Sequence, residues 1–220
     1  MAASKRRRTQ AERSAESERR LIDAATQLVA EQGFSRTTLA EIGEKAGYSR
    51  GLVNERFGSK ERLARVLADE FQGHFALDRL APALSGHSGL EALILTIETY
   101  LDFVAKNETL GRAYYELLGE SIGLVPEIHE TFVEADRALR AGVERTIRSA
   151  VRVGEMPAGT NAGALAALIV GSVRGVVLQW LLNPRAVSIA AVAAEARRTL
   201  ELAFAMDRRA AARRAPRKEP

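Results

Sequence analysis

The chain has 220 residues, 46% of them hydrophobic and 27% charged, enough for one or two compact domains with a buried core. Its formal charge of +4 conceals two basic ends on a mildly acidic body: residues 1–20 and residues 207–220 each carry net +4, which leaves −4 for the 186 residues between them. The absence of cysteine excludes disulfides, thiolate catalysis and cysteine-built zinc sites, while the uneven charge points to polyanion contact through restricted surfaces.

Apolar residues recur at helical spacing through most of the chain, and no alternating Val, Ile and Thr-rich run marks a strand. The expected fold is therefore all-α. Residues 1–16 read as a flexible basic arm; Lys5–Arg8 is followed by no apolar stretch of signal-peptide length. Helix one is expected from about Ser17 to Glu31, with Leu21, Ile22, Ala25, Leu28 and Val29 on its buried stripe and a stop at Gly33. Thr38 followed by Glu41 is a capping box that starts a short helix two, Leu39–Ala46, ended by Gly47. Ser49 caps helix three, about Arg50–Arg56, and Ser59 caps helix four, about Lys60–Leu80. A small-residue loop at 82–89 precedes helix five, about Leu90–Lys106, and helix six, about Leu110–Gly119. Helix seven runs to about Val151. The linker 154–161 leads to helix eight, which ends at Leu182, and helix nine spans about Val187–Met206. The most apolar segment, Leu165–Leu182, contains Arg174 and Gln179 and reads as a buried helix of a soluble protein, since a membrane span needs about 20 nearly unbroken apolar residues. Beyond residue 206 the basic tail has no apolar stripe and is expected to be disordered.

Between Leu39 and Phe57 the pattern is more specific. Gly43 and Gly47 sit four apart, Ile42 precedes the first, Tyr48 follows the second, and Val53 lies six beyond it. A tiny side chain where two helices cross lets Ile42 and Val53 meet at an axial separation of about 8–10 Å, as a helix-turn-helix requires. If helix three enters a major groove, Arg50 reaches either guanine O6/N7 or a phosphate, Gly51 permits close backbone approach, and Leu52 either packs on thymine methyls or is an ordinary partly buried residue. Asn54 suits a phosphate or adenine N6/N7, and acidic Glu55 needs cytosine N4, an arginine or an outward path. The helix starts at Thr38, Ser49 and Ser59 present free N–H groups suited to anions. Lys60 opposes the dipole at the start of helix four, a conflict that a nearby phosphate resolves; Arg36 and Thr37 are weaker phosphate candidates. The Lys5–Arg8 run is either a minor-groove arm or a solvated charge run.

The stretch GFSRTTLAEIGEKAGYSRGLVNERFGSKERL, Gly33–Leu63, resembles the DNA-binding segment of the TetR family of transcriptional regulators in order, spacing and caps. VRGVVLQWLLNP, Val173–Pro184, resembles that family's penultimate helix. Asn54 and Glu55 depart from the pattern, standing where relatives commonly have a phosphate-binding tyrosine and an aromatic or basic residue. The resemblance implies a three-helix DNA-binding domain, residues 17–63, followed by a six-helix effector-binding and dimerisation domain, residues 64–206, with 207–220 as the tail. It also implies a backbone-contacting lysine at Lys60, a four-helix bundle across a homodimer made by helices eight and nine, cytoplasmic location with the nucleoid, and repression relieved when a ligand shifts helix four.

One recognition helix offers few contacts, so a paired, palindromic double-stranded operator is expected. The broad apolar and small-residue faces of the last two helices assign dimerisation to Leu168, Ser172, Gly175, Val176, Ile189, Val192, Ala196 and Leu200. A small apolar or amphipathic effector is expected among Tyr100, Phe103, Tyr115, His129, Phe132 and Arg174, with core packing as the alternative role of each aromatic side chain and Glu98 or Asp136 as alternative protein partners for Arg174. The three histidines, His74, His87 and His129, form no metal-ligand motif. No nucleophile motif or phosphate-binding glycine loop is present, so no catalytic residue, metal, cofactor or membrane partner is expected. The competing reading is a helical small-molecule-binding or protein-interaction protein without specific DNA binding.

Overall fold

The computed structural model describes the backbone of residues 9–214 and the side chains of residues 9–204. All regular structure among them is helical: α1 Gln10–Gln32, α2 Leu39–Ala46, α3 Arg50–Phe57, α4 Lys60–Gly73, α5 Gly89–Lys106, α6 Glu108–Ser121, α7 His129–Arg152, α8 Ala162–Leu182 and α9 Ile189–Arg214. The Lys5–Arg8 run, Arg217 and Lys218 lie outside the described residues.

Three segments differ from the sequence expectation. α1 starts two turns early, at Gln10, because Thr9 and Glu12 form a capping box that overrides the polar composition. α4 turns π-helical over His74–Leu80 and closes with the helical turn Ala81–Ala83. Pro82 explains that departure: in an α-helix its ring would clash with the carbonyl of Asp78, and a wider turn relieves the clash. α9 continues as helix to Arg214, past the expected end at Met206. The other elements lie within a few residues of their expected bounds.

The chain packs as two compact units. One takes the chain up to Phe71 together with Thr109–Phe132; the other holds Gln72–Glu108 and the chain from Val133 onward. This grouping by packing is discontinuous, whereas the division at 63/64 is one by expected function.

In the first unit α1, α2 and α3 close around Leu21, Ala25, Val29, Phe34, Ile42, Val53 and Phe57, all almost fully buried. Each large apolar side chain buried this way contributes about 1.5–3 kcal/mol. An aromatic cluster adds to the same unit: Phe71 stacks on Tyr114 at 4.1 Å between ring centroids, and Tyr114 lies 5.9 Å from Tyr115 and 5.4 Å from Phe132. In the second unit α9 packs along α5, where Arg197 bonds both Glu91 and Glu98 at 2.7–3.0 Å. Those bonds, first from Glu98 and then from Glu91, raise the Arg197 pKa further above its ordinary value.

α8 is the one described helix long and apolar enough to cross a membrane, yet only 28% of its most apolar stretch is buried. The expectation of a buried helix is thus corrected. Val177 and Trp180 turn into the unit, while Leu168, Ser172, Leu178 and Leu182 are exposed along one face.

Candidate nucleic-acid interface

The α2–α3 turn is built from backbone. Gly47 adopts φ +78°, ψ +30°, a left-handed conformation that a glycine reaches without steric cost, and Tyr48 N donates to Gly43 O at 2.7 Å. Gly43 is buried against that turn: a Cβ there would lie 2.9 Å from Tyr48 O and 3.2 Å from Arg50 N. α3 then begins at Ser49, whose Oγ accepts from Leu52 N at 3.3 Å. Val53 and Phe57 point into the core, which leaves Arg50, Gly51, Asn54 and Glu55 exposed on the opposite side. A helix whose one face is anchored and whose other face carries an arginine, a glycine and an asparagine suits the hydrogen-bonding edges of a major groove.

The remaining expected DNA residues divide. Thr38 caps α2, accepting from Glu41 N at 3.2 Å while Glu41 accepts from Thr38 N at 2.8 Å. The Thr38 hydroxyl is the main cause of a lowered Glu41 pKa. Arg36 is exposed, its Nε donating to Gln32 O at 2.5 Å. Thr37 is 1% exposed and its hydroxyl donates to Gly33 O at 2.8 Å, so the expectation of a weaker phosphate contact from that side chain is corrected. Lys60 is half-buried. Its ammonium donates to Ser35 O at 2.9 Å and sits 4.6 Å from the centre of the Phe34 ring, so its place against the α4 dipole is met inside the protein. Burial lowers the Lys60 pKa, against the opposing pull of Glu120, Glu61 and Glu41.

Sequence reading missed a second basic surface, because it started helix one at Ser17. With α1 beginning at Gln10, Arg13 and Arg20 line an open groove of about 500 Å³ together with Glu16, Tyr48, Leu52 and Arg56. Leu52 is half-buried in this groove. Arg20 is paired with Glu16 at 2.6 Å, and Arg56 Nε is buried without a hydrogen-bond partner. The signal for it was the Thr9–Glu12 cap spacing.

In the other unit Tyr100 and Arg174 come together, lining a narrow cleft with Thr96, Ile97, Leu139 and Val170. The cleft offers about 20 Å³, room for roughly one water molecule. Arg174 donates to Asp136 at 2.5 Å, as Arg140 does at 2.6 Å. Burial opposes the Asp136 charge, and the bonds from the two arginines outweigh it, so its pKa is lowered. Phe103 packs on Phe75, 5.8 Å between centroids, beside Tyr100. Tyr115, His129 and Phe132 belong to the first unit, where His129 Nδ1 lies 3.1 Å from Ser121 O. Of the six expected effector residues, Tyr100 and Arg174 share this cleft, and Phe103 packs beside Tyr100 through Phe75. Among the expected dimer residues, Leu168 and Ser172 are exposed and Gly175 and Val176 half-buried; Ile189, Val192, Ala196 and Leu200 are half-buried on α9.

Three packed helices, the second and third joined by a tight glycine turn and the third presenting a polar face, define a helix-turn-helix protein of the nucleic-acid-binding class. Residues 21–67 match the model of bacterial regulatory proteins of the tetR family, and residues 90–205 match the C-terminal domain of BetI-type transcriptional repressors. The chain belongs to the TetR family of transcriptional regulators. It is 31% identical over 169 residues to the HTH-type transcriptional regulator SrpR of Pseudomonas putida, covering 75% of this chain and 76% of that one. It is 28% identical over 190 residues to the HTH-type transcriptional regulator TtgR, also of Pseudomonas putida, covering 83% and 88%. Among solved structures it is similar to the transcriptional regulator FadR from Bacillus subtilis in complex with stearoyl-CoA, with a TM-score of 0.64, 18% identity and coverage of 83% and 97%.

Proposed function

We propose that the protein is a ligand-responsive homodimeric repressor, acting in the cytoplasm on a palindromic operator and reading it through α3. The observation that carries this reading is the orientation of α3: Val53 and Phe57 are buried, and Arg50, Gly51 and Asn54 are exposed beyond the Ser49 cap. Arg50 reads a guanine or grips a phosphate, Asn54 takes the neighbouring contact, and the capped starts of α2 and α3 add backbone N–H groups toward phosphates, with Arg36 beside them. Leu52 touches a thymine methyl from the rim of the groove it lines. Lys60 contributes its charge from the turn it braces. Arg13 and Arg56 extend the contact along the backbone.

The exposed stripe Leu168, Ser172, Leu178 and Leu182, together with Gly175 and Val176, is the core of the homodimer face. Ile189, Val192, Ala196 and Leu200 flank it from α9. Dimerisation supplies the second half-site that one recognition helix needs. Tyr100 and Arg174 mark the effector cleft, with Phe103 behind them. An effector must part α5, α7 and α8, because ligand sites commonly span about 300–1,000 Å³. An apolar chain bearing a group that accepts a hydrogen bond from Arg174 suits the lining.

Selection of duplexes from a random pool tests the function. The chain enriches a palindrome whose half-sites lie about 10 base pairs, or a multiple, apart. Arg50→Ala weakens binding to the selected duplex about 5- to 150-fold, the value of one bidentate base contact of about 1–3 kcal/mol. Enrichment of no sequence, or equal binding by R50A, refutes the reading.

A further inference from the structure

A buried carboxylate from α6 grips the turn that launches α2. Glu120 is 9% exposed, and its two oxygens accept from consecutive backbone N–H groups, Phe34 N to Oε1 at 2.8 Å and Ser35 N to Oε2 at 2.8 Å. The Ser35 hydroxyl donates to Oε2 as well. Gly33, at φ +82°, leaves the space this approach needs: a Cβ there would stand 2.9 Å from Oε1. From the other side Lys60 takes the Ser35 carbonyl. One short turn is thus held at its N–H groups by α6 and at its carbonyl by α4. The next residues are Arg36, buried Thr37 and the Thr38 cap of α2.

Removing a carboxylate from water is costly and is offset only where it is fully hydrogen-bonded. Here three donors converge on it, and two of them are adjacent backbone groups that a fork of two oxygens spans together. Such a grip fixes the direction in which the turn leaves α1. The partner is 86 residues away in sequence, so local turn chemistry does not supply this restraint.

We propose that Glu120 is a positioning residue for DNA binding, holding the Gly33–Thr38 turn so that the α2 cap and Lys60 meet the phosphate backbone in register. This rests on the DNA-binding reading above. Glu120 touches no DNA; it acts through Ser35 and Lys60.

The test uses the full chain and the duplex selected with the wild-type protein. Affinity and its salt dependence are measured for wild type, Glu120→Gln, Lys60→Ala and the double variant. E120Q keeps the size of the side chain but turns an amide N–H₂ toward a backbone N–H. It is expected to bind about tenfold more weakly, with a salt slope smaller by about one unit, the loss of one phosphate contact, and with unchanged base preference and dimer mass. K60A then adds little to E120Q, because both act on one turn. Wild-type binding by E120Q, or losses that simply add, overturns the proposal while leaving the DNA reading intact. Should E120Q fail to fold, Ser35→Ala removes one donor from an exposed residue: binding about threefold weaker supports the clamp, and unchanged binding overturns it. A wild-type chain that enriches no sequence overturns both.

Discussion

Gly43→Ala probes the packing on which recognition depends. The new methyl would lie 2.9 Å from Tyr48 O and 3.2 Å from both Ser49 C and Arg50 N. All three are backbone atoms of the α2–α3 turn, so no side chain can rotate away. Alanine in place of glycine gains about 1 kcal/mol of helix propensity, and forcing a methyl into a filled site costs about 1–3 kcal/mol. The balance is a loss of up to about 2 kcal/mol. Because the displaced atoms include the first residue of α3, binding to the selected duplex falls further than stability alone dictates. Gly119→Ala is the control. Gly119 lies in α6 with nothing within 4 Å of the added methyl, so the same chemical change stabilises by about 0.4–1 kcal/mol. Urea unfolding at fixed protein concentration, followed by circular dichroism, measures both. If G43A is as stable as G119A and binds DNA as wild type does, the close crossing of α2 and α3 is not what holds the recognition helix.

Leu168→Glu combined with Leu182→Glu places charges on the exposed face of α8; sedimentation is expected to show a monomer with unchanged helical content, whereas a persisting dimer moves the interface elsewhere. Arg13→Ala and Arg56→Ala are each expected to reduce the slope of log affinity against log salt by about 0.9 without changing base preference. The same slope in both variants removes the groove from the interface. The lowered pKa of Glu41 stabilises the fold above the ordinary glutamate value of about 4.3, and that contribution is lost as pH falls through the lower folded value. Glu41→Gln is therefore less stable than wild type at neutral pH, and the gap closes on acidification; a gap constant from pH 7 to pH 3 contradicts the capping role.

Local chemistry made much of the fold legible. The Thr38–Glu41 cap, the Gly47 stop and the Ser49 start bound α2 and α3 as expected, because each signal acts within four residues of its effect. The same logic, applied to Thr9 and Glu12, would have found the first turns of α1 and with them Arg13 and the groove. How far its own chain covers α8 is not legible from periodicity, which shows only that a helix is apolar.

What the sequence determined by itself was the all-α class, the helix order and the family, since caps, breakers and apolar spacing are short-range. Tertiary structure alone decided which polar groups are free. Thr37 and Lys60 read alike as phosphate candidates, yet Thr37 is buried, and Lys60 also bonds a carbonyl 25 residues away. Tyr100 and Arg174 share a cleft, and Glu120 reaches a turn 86 residues earlier. Such pairings follow from how helices stack, which depends on the side chains of every element at once and has no marker at any single position.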